Sequence, residues 1–201
     1  MKFKIPIDIG YFYSGINIIY RTSYEDSNNS IYGTIEDIYN LYQAIYINDI
    51  SIVKFNIYGR SNILSIRDSS YKDFVPVKYI IRKDNIDDWY RLDIRFNIIS
   101  QKRSQVQHYI IYATSNTILP VVNRGGVKVK NLCRDDKLVP FGEGVLNYMY
   151  INKITYIGKS DIMKYGYNIS TISNRFDADL INSYGINIIQ REDYNSDIHI
   201  E

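Results

Sequence analysis

The chain has 201 residues, a formal net charge of +2 and one cysteine, Cys133. That length can bury a core without disulfides, and a lone cysteine excludes an internal disulfide and any cysteine-based zinc site. Mean hydropathy is −0.26, and no apolar run approaches ~18 residues, so no helical membrane span and no membrane partner are expected. The composition is uneven, with 37 Ile, 21 Tyr and 19 Asn. These residues have AT-rich codons, which points to an AT-rich genome: that of a large DNA virus, a phage, an AT-rich bacterium or an organelle. Ile and Tyr favour strands, while the helix formers Ala and Leu are scarce, so the chain leans towards β structure.

In chain order, Met1–Asp8 alternates polar and apolar residues with no long apolar stretch, so no signal peptide is expected and the location expected is virion or host cytoplasm. Residues 2–9 and 11–20 read as strands around Gly10, followed by a polar loop at 22–30. Thr34 reads as an N-cap with Glu36 and Asp37 in the first turn, and Ile35, Ile38, Leu41, Tyr42 and Ile45 follow a helical period. A helix over 35–47 is therefore expected. Short alternating segments at 51–58, 62–67, 74–82, 89–99 and 105–114 read as strands, and Pro76 marks its strand as an edge or a strand start. Asn123-Arg124-Gly125-Gly126 reads as a hairpin turn between 118–122 and 127–129, with Lys128 and Lys130 on one face of the second strand. A further strand is expected at 146–157. Ser160 reads as the cap of a short helix at 161–166, and 177–183 reads as a helix ended by Gly185, with a strand at 186–190.

The expected fold class is thus β-rich α+β: an antiparallel sheet, sandwich or barrel, with a helix near 35–47 and short helices near the C-terminus. Residues 1–201 read as a single domain, with 158–201 as the segment able to form a small α+β appendage. Ser14–Ile19 and Tyr184–Ile189 echo one another in Gly-Ile-Asn-Ile-Ile, but no constant period supports a repeat architecture.

Charge provides the strongest local signal. The 41 residues between Asp93 and Asp135 contain no acid and carry Arg95, Lys102, Arg103, Arg124, Lys128, Lys130 and Arg134, a local charge of +7, so the rest of the chain sums to −5. Such asymmetry favours nucleic acid or an acidic protein surface. Overlapping it, the 32 residues between Ile118 and Ile151 hold no Ile but six of the ten Val and four of the 11 Gly. Glycines there serve turns or a close backbone approach.

Catalytic patterns are sparse. Cys133 and His108 lack a local nucleophile signature, and His199 is the only other histidine. Gly158-Lys159-Ser160 has no glycine-rich loop before it. Asp84, Asp87, Asp88, Asp135 and Asp136 read as solvated turn acids, and no metal or other cofactor is expected. Three islands resemble the ADP-ribosyltransferases of the Arg–Ser-Thr-Ser–Glu type. Ile19-Tyr20-Arg21 is similar to their first-strand arginine, Tyr167–Ser173 to their serine motif, and Gln190-Arg191-Glu192 to their Gln-x-Glu. The resemblance implies an NAD-using site at Arg21, Ser170 and Glu192.

The leading expectation is a non-enzymatic structural, assembly or accessory protein of an AT-rich virus or phage. It would act through protein subunits or a homo-oligomer and through a basic β-ribbon of Arg124, Lys128, Lys130 and Arg134, with Lys102 and Arg103 beside it. The alternatives are the ADP-ribosyltransferase-like enzyme and a nucleic-acid-binding protein.

Overall fold

The computed structural model describes residues 2–4, 9–22, 30–57, 64–68, 73–99, 104–141, 149–181, 184–189 and 197–199. The first part of the chain forms β1 (Lys2–Lys4), β2 (Phe12–Tyr13), β3 (Asn17–Arg21), β4 (Ile31–Thr34), helix α1 (Ile35–Asn40), β5 (Ile45–Ile47), β6 (Ile50–Lys54) and β7 (Ser65–Asp68). Three long strands follow, β8 (Asp73–Asp84), β9 (Trp89–Ile99) and β10 (Ser104–Thr114). Then come β11 (Ile118–Val121), β12 (Gly125–Lys128), a 3₁₀ turn at Val129–Asn131, β13 (Lys137–Leu138), β14 (Pro140–Phe141) and β15 (Met149–Gly158). The last strands are β16 (Tyr165–Thr171), β17 (Arg175–Ile181), β18 (Tyr184–Ile189) and β19 (Asp197–His199). The fold is β-rich and antiparallel, with very little helix among the described residues.

The strands close into a barrel. One circuit of backbone pairings runs β9, β10, β2, β16, β8, β7, β3, β17, β18, β11, β13, β15 and back to β9. β1 and β19 pair with each other in a separate two-stranded sheet. The two echoing segments fall on β3 and β18, which both pair with β17.

β9 shows how the sequence builds this wall. Leu92, Ile94 and Phe96 are buried, while Arg91 is exposed and Asp93 and Arg95 are half-buried, the alternation of a strand with one wet face. β6 and β8 behave differently, because both their faces are buried. Val53, Val77 and Ile80 enter the main core, whereas Ile52, Tyr79 and Ile81 enter a second core with Tyr11, Ile86, Trp89 and Met163. Consecutive buried residues such as Ile52-Val53 and Tyr79-Ile80-Ile81 are what such double burial requires. Pro76 is accommodated beside an irregularity, where Ser170 pairs with Tyr79 but the next residue, Thr171, pairs with Val77.

Three helical expectations are corrected. Thr34 does cap α1 in a reciprocal capping box with Asp37. The helix then stops at Asn40, and Ile45–Ile47 pairs with Ile50–Ile52 instead. A short helix has too few turns to compete with a β-branched and aromatic run that finds a strand partner. Ser160 accepts hydrogen bonds from the backbone N–H of Ile162 and Met163, yet the chain makes only a turn before β16 begins at Tyr165. Of the segment 177–183, residues 177–181 are strand, in Arg175–Ile181 paired with Tyr184–Ile189, and 182–183 lie outside the described residues. Asp, Ala and Leu gave this segment helical character locally, and pairing on both sides of β17 overrides it.

Trp89 anchors the second core. It is fully buried, and its indole Nε1–H donates to the Met163 carbonyl at 3.1 Å. Trp89→Ala should lower unfolding free energy by about 3–5 kcal/mol. Urea titration followed by far-UV circular dichroism measures it, and a loss below about 1 kcal/mol would contradict this role for Trp89.

Candidate functional site

Three buried polar side chains, Thr114, Thr117 and Asn168, meet at the backbone of Gly10 and Tyr11. Tyr11 and Phe12 are consecutive but feed opposite cores, Tyr11 the second and Phe12 the main one. The backbone just before β2 therefore runs along the seam between the two cores, where water cannot satisfy its polar groups.

Side chains from two strands satisfy them. On β16, Asn168 Nδ2 donates to the Gly10 carbonyl oxygen at 2.7 Å. At the end of β10, Thr114 Oγ1 accepts the Tyr11 N–H at 2.9 Å. The next carbonyl, that of Tyr11, accepts from the Thr114 backbone N–H at 2.9 Å and from Thr117 Oγ1 at 3.1 Å. Asn168, Thr114 and Thr117 are all buried. Thr114 and Thr117 span the turn between β10 and β11, closed by a bond from the Thr117 N–H to the Thr114 carbonyl at 3.0 Å.

The Gly10–Tyr11 peptide is thus held at both its oxygen and its nitrogen in a dry setting. A donor on the carbonyl oxygen draws electron density from the carbon, and an acceptor on the N–H fixes the orientation of the amide. The geometry suits acyl transfer, with water kept out. Tyr11 itself supplies no nucleophile. Its hydroxyl lies at the far end of a rigid ring, and burial, with a smaller contribution from Asp49, pushes its pKa well above the ordinary tyrosine value. Among the described residues the one thiol, Cys133, is exposed on the segment between β12 and β13.

The residues singled out from sequence lie elsewhere. The Arg124 guanidinium donates to both carboxylate oxygens of Asp136, at 2.6 Å each, and to the Asn131 carbonyl. Lys128 Nζ donates to Asn116 Oδ1 at 3.2 Å. Lys130 does not share a strand face with Lys128: the strand ends at Lys128 and Lys130 lies in the 3₁₀ turn. Arg134 makes a long, well-exposed contact to Asp135 at 4.0 Å, an arrangement of little energetic weight. Arg95 lies over the Tyr150 ring at 5.4 Å, and Lys102 and Arg103 fall outside the described residues. The Arg21 guanidinium stacks on Phe74 at 3.7 Å, Ser170 is buried on β16, and Glu192 falls outside the described residues. His108 is engaged with Asp93 at 3.0 Å.

Gly10, Thr114, Thr117 and Asn168 are not among the site residues expected from the sequence, although Gly10 marks the break between the first two strands and Asn168 lies in the Tyr167–Ser173 island. The one local hint is in β16, where Asn168, Ser170 and Thr171 interrupt a strand that is buried at every position after Tyr165. Buried polar residues in such a strand have to find partners.

No protein-family model matches the chain, and no curated protein matches it. Solved structures do. An intein from a hyperthermophile aligns with a TM-score of 0.65 at 11% identity, covering 90% of this chain and 99% of that one. The PabCDC21-1 intein aligns at 0.58 with 11% identity, over 89% and 98% of the two chains. The transcription factor IIB Mvu mini-intein aligns at 0.56 with 17% identity, over 90% and 99%. At these identities the likeness is one of fold. It overturns the expected viral structural or assembly protein and its virion keywords, along with the ADP-ribosyltransferase-like and nucleic-acid-binding alternatives.

Asn168→Leu should destabilise the fold by about 1–3 kcal/mol, because the Gly10 carbonyl keeps its burial and loses its donor. Thr114→Val, nearly isosteric, should cost a similar amount through the orphaned Tyr11 N–H. Paired urea titrations measure both, and two neutral substitutions would contradict the closed cradle.

Proposed function

We propose that this chain is an intein-like domain of the protein-splicing type, and that the bond its barrel holds for acyl transfer is its own Gly10–Tyr11 peptide. Inteins are self-splicing protein domains, and the likeness in fold runs over 90% of this chain. The observation that carries the proposal from fold to site is the buried hydrogen bond from Asn168 Nδ2 to the Gly10 oxygen at 2.7 Å.

A domain that rearranges its own polypeptide has to break one of its own peptide bonds. Such a bond reacts when its carbonyl is polarised, its nitrogen can take up a proton and a nucleophile stands at the carbonyl carbon. Asn168 meets the first need. Thr114 Oγ1 accepts the Tyr11 N–H at 2.9 Å and so orients the nitrogen, which takes its proton from the attacking nucleophile. The third is the vacancy in this chain. A hydroxyl or thiol on the β-carbon of residue 11 would reach the Gly10 carbonyl through a small ring, and the phenol of Tyr11 stands too far out to do so. The chain as it stands therefore grips the bond and leaves it whole.

Restoring the nucleophile tests this. In Tyr11→Cys the thiol attacks the Gly10 carbonyl carbon and the bond to the residue 11 nitrogen breaks. The thiol proton ends on the freed amine, and a thioester joins Gly10 to the new sulfur. Added dithiothreitol then takes the acyl group by thioester exchange. Intact-mass spectrometry should show residues 1–10 as the dithiothreitol thioester and residues 11–201 with a free amino group, while the unaltered chain stays whole. Asn168→Ala in the same background should slow release by about 100-fold. A folded Tyr11→Cys chain without thiol-dependent scission after Gly10 would remove the proposal.

A further inference from the structure

We infer that the cradle is selective for glycine on the acyl side of the bond it holds, with the backbone of Thr117 as the selecting group. This rests on the intein-like reading above and concerns which peptide that site accepts. A β-carbon built on Gly10 would stand 2.1 Å from Thr117 Cα, 2.4 Å from Thr117 N and 2.5 Å from Thr117 Oγ1. Two of those three atoms are backbone and cannot rotate aside. Gly10 is not among the residues with left-handed backbone, so its φ does not require glycine. The requirement comes from space.

Thr117 is not free to retreat. Its N–H donates to the Thr114 carbonyl at 3.0 Å, and its own carbonyl accepts from the Val129 N–H at 2.8 Å. Its hydroxyl is committed to the Tyr11 carbonyl at 3.1 Å. The next residue, Ile118, is paired on both sides, with Lys128 and with Ile189. A methyl group at residue 10 would therefore push residue 10 away from the turn and carry its carbonyl off Asn168. Close approach of Thr117 to a residue without a side chain also seals the carbonyl from water on that side. The neighbouring Ile9 is only partly buried, against the second core, and meets no such wall. With a nucleophile at residue 11, the acyl fragment released by this site ends in glycine.

The test compares thiol-dependent release from Tyr11→Cys alone, with Gly10→Ala added, and with Ile9→Ala added, by intact mass with dithiothreitol and with folding checked by far-UV circular dichroism. Release should persist with Ile9→Ala and fall at least about 100-fold with Gly10→Ala, the loss expected when a reacting carbonyl moves by about 1 Å. If Gly10→Ala abolishes folding while Ile9→Ala folds and reacts, one methyl group has been refused at residue 10 and the inference stands. Equal release from the Gly10→Ala and Ile9→Ala forms overturns glycine selectivity and leaves the intein-like reading intact. Equal loss from both overturns it as well, since the strand would then reject any change. No release from Tyr11→Cys alone overturns the underlying reading and the inference with it.

Discussion

A strand of two residues, β2, links the β15–β9–β10 ribbon to the β16–β8 ribbon. It does so with one backbone pair to β10 and two to β16. So short a strand has little hold of its own. Phe12 in the main core and Tyr11 in the second secure it by burial, and burial in turn denies water to the peptide between Gly10 and Tyr11. The bonds from Asn168 and to Thr114 answer that need, one from each ribbon. Barrel closure and the care of one peptide bond are the same physical problem here.

That coincidence gives the site its chemical interest. A donor that satisfies a buried carbonyl also polarises it, and a hydroxyl that accepts a buried N–H fixes the orientation of the amide. On the intein-like reading proposed above, the chain's own backbone is the substrate. Residue 11 separates holding from cutting: its side chain is committed to the second core, where Gly166 leaves room for it. A β-carbon on Gly166 would meet Tyr11 Cβ at 2.8 Å and Ile86 Cδ1 at 2.2 Å. Tyr11 is thus built in as a packing residue at the position where chemistry would need a small nucleophile.

The acid-free segment, prominent in the sequence, has a quieter role in the fold. The bond from Arg124 Nη1, shared between both oxygens of Asp136 just past the segment's end, fastens the β11–β12 turn to the segment before β13, and the same carboxylate accepts the Cys133 N–H at 2.8 Å. Gly125, the first residue of β12, leaves that turn with φ of +70° and open space around it. Counting charges along the chain could not show that one of its arginines was already paired across a turn.

Local signals in this chain fix local structure. Arg91–Phe96 alternates because one face of β9 meets the core and the other meets water, and that pattern is written in adjacent residues. The 118–122 and 127–129 hairpin was likewise legible from Asn123–Gly126, since turn chemistry acts over a few residues. Asp177–Ile181 was not legible, because its strand conformation depends on β3 and β18 pairing from either side. The ends of α1 divide in the same way: Thr34 and Asp37 fix its start within four residues, while its stop at Asn40 depends on a strand partner for Ile45–Ile47. The sequence by itself determined a β-rich chain with a capped helix at Thr34, because propensity, alternation and capping are properties of neighbours. Only the tertiary structure decided that Asn168 and Gly10 would meet, 158 positions apart, because a buried peptide takes its partners from whichever strands the closing barrel brings beside it.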